Sequence, residues 1–121
     1  MPFLSSTATL LIALLHIYIL TLEMFLWTTP RGLKAFNLTP EFAQKTKPLA
    51  ANQGLYNGFL AAGLIWALLH PVAEFARQIA IFNLGCVVVA GAFGGFTANP
   101  RIFVVQCFPA VVALSIVLAG L

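Results

Sequence analysis

The chain has 121 residues, of which 61% are hydrophobic and 7% charged, and its mean hydropathy is +1.00; an average soluble domain has about 25% charged residues. Its net charge of +3 comes largely from Arg31, Lys34, Lys45 and Lys47, which lie in one loop, so the excess is a topology signal and not a nucleic-acid-binding face. An integral membrane protein is expected, with the bilayer as its first partner and no nucleic acid.

The first apolar run covers about residues 7–27, enough at roughly 1.5 Å per residue to cross a hydrocarbon core of about 30 Å. No Lys or Arg precedes it, and it exceeds the 7–15 apolar residues of a cleavable leader, so a retained helix is expected. Within it, the string HIYILTLEMFLW carries His16 and Glu23 seven residues apart. At about 100° per residue the two fall within roughly 20° of one another on one helical face. Ionisable groups in a span face a bundle interior or a wet cavity.

The loop at about 28–47 mixes Arg31, Lys34, Glu41, Lys45 and Lys47 with Leu33, Phe36, Leu38 and Phe42, a composition suited to the membrane surface. Thr39, Pro40 and Glu41 read as an N-cap, a proline at the first helical position and an acid in the first turn, predicting a short interfacial helix toward Lys47. The second span, about 48–69, opens with ANQGLYNG. In it Asn52 pairs with Tyr56, and Gln53 with Asn57, at helical spacing, while Gly54 and Gly58 form a GxxxG notch. His70 and Pro71 end it.

A third span is expected at about 77–96, with Asn83, Cys86 and a second notch at Gly91 and Gly95. After a turn at Asn99 and Pro100, a fourth runs over about 102–121, carrying Gln106 and Cys107 and bent by Pro109. The two cysteines lack the spacing of a zinc or redox motif. The sequence thus reads as all-α, a single four-span membrane bundle with one short interfacial helix between the first and second spans. Arg31, Lys34, Lys45, Lys47 and Arg101 oppose Arg77 across the membrane, which sends both termini to the periplasmic side. Either glycine notch could also carry a homo-oligomer contact.

With that orientation Glu23, Asn52, Gln53, Tyr56, Asn57, Asn99, Arg101 and Gln106 gather in the cytoplasmic leaflet, with His16 as the deeper floor and Asn83 as an outlier. The expected function is to bind a small amphipathic or cationic molecule there, with Glu23 coupling binding or transport to protons. The alternatives are a membrane-embedded isomerase or quinone-linked oxidoreductase using His16 and Glu23 as acid and base, and a non-catalytic assembly or stress protein. Neither H-E-x-x-H, a Gly-rich phosphate loop nor G-x-S-x-G occurs, so no catalytic residue, cofactor or metal site is named.

The runs LLHIYILTLEMFLWTTPRGLKAF, LTPEFAQKTKPLAANQGLYNGFLAAGLIWALL and FGGFTANPRIFVVQ resemble a family of small four-helix bacterial inner-membrane proteins catalogued as a domain of unknown function. That resemblance implies fold and membrane location, and no chemistry. In size, and in having one acid on its first helix, the chain is also similar to the small multidrug-resistance transporters, at the level of architecture alone.

Overall fold

In the computed structural model, which describes residues 1–121, every regular element is helical: α1 (Phe3–Met24), α2 (Pro30–Phe36), α3 (Pro40–Leu69), α4 (Ala73–Thr97), a π-helical turn (Phe103–Cys107) and α5 (Phe108–Leu118). Helices α1 and α4 are each long and apolar enough to cross a membrane. The chain divides into two compact units, Leu14–Phe59 and a second made of Met1–Ala13 with Leu60–Leu121.

Helix α1 begins and ends earlier than its hydropathy suggests. Its first hydroxyls do not delay it, because the Thr7 hydroxyl donates to the Phe3 carbonyl at 2.9 Å and that of Ser6 to Met1 at 3.3 Å. It stops at Met24, where the Thr21 carbonyl accepts from both Phe25 and Leu26, at 3.1 and 3.2 Å. Trp27, expected inside the span, is part of the following corner.

The short helix expected from Pro40 instead forms at Pro30–Phe36. Thr29 caps it, with φ −82° and ψ 163°, accepting from the Gly32 N–H at 3.4 Å, and Pro30 takes the first helical position. Asn37 ends it in the left-handed region at φ 54°, a conformation Asn tolerates better than most residues. The cap at Thr39 does form, accepting from Phe42 N–H at 3.2 Å. It opens the 30-residue α3, and Pro48 lies inside that helix and does not begin it. An interior proline removes one intrahelical bond, and the helix runs on through it, with Ala43 and Ala50 buried on either side.

The Met1–Ala13 and Leu60–Leu121 unit has a core of Ile12, Ala13, Leu64, Ala67, Ala80, Leu84, Val87, Ala110, Ala113 and Val117. Half of these are alanine, so the helices pack closely, as in membrane helix interfaces. On α4 the buried stripe continues to Gly91 and Gly95. A Cβ on Gly91 would sit 2.7 Å from the Cys107 backbone nitrogen, and one on Gly95 would sit 2.6 Å from the Phe103 ring. This notch therefore holds the π turn of its own chain. The turn closes with Phe108 N–H bonded to the Phe103 carbonyl, just before Pro109, which has no N–H to give. The fourth apolar segment is thus a π-helical turn followed by α5, which ends at Leu118.

Asn83 also finds its place within this unit. Its amide donates to the Ile79 carbonyl at 2.9 Å and rests over Gly63, whose missing side chain leaves the room.

Candidate functional site

The polar centre of the Leu14–Phe59 unit is built by two helices. Glu23 stands in the last turn of α1 and is 2% exposed, while Asn57, on α3, is 8% exposed. The Asn57 amide donates to the Glu23 carboxyl at 2.5 Å, and the exposed Gln53 side chain, one turn earlier on α3, lies near the same carboxyl. Gly54 makes the approach possible: a Cβ there would lie 2.6 Å from Met24 Cγ and 3.1 Å from Glu23 Cβ, with the Leu20 carbonyl at 3.3 Å. One turn on, a Cβ at Gly58 would meet Leu20 Cδ1 at 2.7 Å. The first GxxxG notch thus seats α3 against α1 at the level of the carboxyl.

A second set of contacts fixes the corner beside this pair. The Trp27 indole N–H donates to the Thr46 hydroxyl at 3.0 Å, and that hydroxyl donates to the Phe42 carbonyl at 2.7 Å. The Trp27 ring lies 4.8 Å from that of Phe36. Gly32 is buried against the Leu26 and Trp27 carbonyls, where any side chain would collide with backbone. The exit from α1 is therefore tied to both α2 and α3.

Of the nine residues expected at the site, Glu23, Gln53 and Asn57 meet, and His16 is wholly buried in the same unit. Asn52 is exposed. Tyr56 is also exposed, its ring 5.8 Å from that of Phe59. Asn99, Arg101 and Gln106 belong to the other unit. There the Asn99 side-chain oxygen accepts from the Arg101 backbone N–H at 2.9 Å, Arg101 is exposed, and Gln106 lies half-buried in the π turn.

Sequence reasoning passed over Ser5 and Thr9, two wholly buried residues of α1 whose hydroxyls have no protein partner. The signal was present in the register, since Thr9 precedes His16 by the same seven residues that separate His16 from Glu23. It also gave Gly54 only a packing role.

Chemically, the centre is a carboxyl held by neutral amides. Such a group can exchange a proton or accept a cation, and its hydrogen bonds fix where either would sit. No three His, Cys, Asp or Glu side chains converge on a metal-holding position, and both cysteines are free.

A family model described as "Protein of unknown function (DUF1304)" matches residues 10–118. The chain is also similar to the "Uncharacterized protein YpaA" of Lactococcus lactis subsp. lactis (strain IL1403), with 31% identity over 118 residues, covering 94% of this chain and 96% of that protein. No solved structure matches it. Matched across nearly its whole length by the family model and by this relative, the chain belongs to the DUF1304 family of proteins of unknown function.

Proposed function

We propose that the protein is a multi-pass protein of the bacterial inner membrane that binds a small amphipathic cation at Glu23 and exchanges it for a proton, as a transporter would. The membrane reading is supported by α1 and α4, and by large apolar side chains left on the surface of α4, with Phe82 and Phe93 70% and 69% exposed. A monomeric soluble protein rarely exposes so much contiguous apolar surface. Helix α3 and the stretch from Phe103 to Leu118 supply the other two spans. The basic residues at 31–47 then face the cytoplasm and both termini the periplasm.

The observation that carries the binding reading is the Glu23–Asn57 pair. A carboxyl removed from water and held by amides needs its charge compensated, and a proton and a cationic guest are interchangeable ways of doing so. The test is binding of tetraphenylphosphonium, a lipophilic cation, to the purified chain in lipid nanodiscs. Saturable binding that weakens at least about tenfold in Glu23→Gln is expected, a loss of roughly 1.4 kcal/mol. Equal binding by both proteins would make the pair structural.

A further inference from the structure

We infer that the basic corner of the Leu14–Phe59 unit is a binding surface for the headgroups of anionic phospholipids. Arg31 and Lys34 are exposed on α2, and Lys45 and Lys47 are exposed on the first half of α3. Glu41 is the one acid among them, so a phosphodiester meets a net positive face.

These cations stand on an ordered support. The Thr29 cap, the Trp27–Phe36 ring contact and the bond from Trp27 to Thr46 hold α2 in place. The Arg31 guanidinium lies over the Tyr18 ring, 6.0 Å from its centroid, which restrains a long side chain before any ligand arrives.

The apolar neighbours favour a lipid over a soluble acidic protein. Phe42, Lys45 and Leu49 follow the i, i+3, i+7 spacing of one helical face, and Phe42 and Leu49 are 54% and 72% exposed. A cation flanked by outward-facing aromatic and aliphatic groups matches a boundary where phosphate lies above acyl chains. This inference rests on residues other than Glu23 and does not depend on cation binding there.

The experiment measures how the full chain in liposomes selects spin-labelled phosphatidylglycerol over spin-labelled phosphatidylcholine at its surface. Selection of about fivefold or more is expected, the factor for one engaged basic residue, and it should fall with added salt. In the quadruple variant Arg31→Gln, Lys34→Gln, Lys45→Gln, Lys47→Gln it should drop toward parity. Parity in the native chain, selection indifferent to salt, or unchanged selection in a variant with native circular dichroism would each overturn the inference. Loss of selection on replacing chloride with inorganic phosphate at equal ionic strength would also overturn it, pointing to a site for a soluble anion. The salt titration uses the native chain, so the test stands even where the variant fails to fold.

Discussion

Asn57 donates its side-chain amide to Glu23 at 2.5 Å across 34 residues of sequence, and both residues are almost completely buried. The bond joins the end of α1 to the middle of α3, so it holds two helices in register as well as satisfying a carboxyl. Removing one partner leaves the other buried and short of a bond, a larger loss than the net value of the bond itself.

Asn57→Ala is accordingly expected to destabilise the protein by about 1–3 kcal/mol. Unfolding in detergent, followed by circular dichroism, measures it. The loss should be non-additive with that of Glu23→Ala, because the two side chains share one interaction. Strict additivity would mean that the bond contributes nothing to holding α1 against α3.

The glycines should fall into three classes. Gly91→Ala sets a Cβ against the Cys107 backbone, which cannot swing aside, whereas Gly58→Ala meets the tip of Leu20, which can. A Cβ at Gly85 meets nothing within 4 Å. Overpacking of this kind costs about 1–3 kcal/mol, so Gly91→Ala should lose that much and Gly58→Ala less. Gly85→Ala should be neutral or gain up to about 1 kcal/mol from helix propensity. Thermal unfolding of the three variants side by side tests the order.

Much of this organisation is legible in the sequence, and the departures have identifiable causes. Thr29-Pro30 and Thr39-Pro40 carry the same start signal, a capping hydroxyl and then a proline at the first helical position. Reading only the second as a helix start misplaced the short helix, and taking Pro48 as a start divided α3. The step of seven from His16 to Glu23 correctly marks buried positions, and ANQGLYNG contains the residues that reach the carboxyl. Which one turns inward was not legible, because Gly54 sets the helix approach and that approach buries Asn57 while Asn52, Gln53 and Tyr56 stay exposed.

The proposed topology makes a separate prediction. A reporter active only in the periplasm should work when fused after Leu121 and fail when inserted within residues 31–47, as the charge distribution requires. Activity in the loop with silence at the C-terminus would invert the arrangement and place the basic corner outside.

If Glu23 exchanges a proton for a cation, binding of the cation must release that proton. In weakly buffered solution, tetraphenylphosphonium added to the native protein should release a proton for each cation bound. Its affinity should rise with pH across about pH 5–9, because proton and cation compete for one carboxyl. Glu23→Gln, which preserves the shape and removes the titration, should release none and bind weakly at every pH. Identical proton release, affinity and pH profile in the two proteins would rule out that exchange and leave the Glu23–Asn57 pair as an interhelical bond alone.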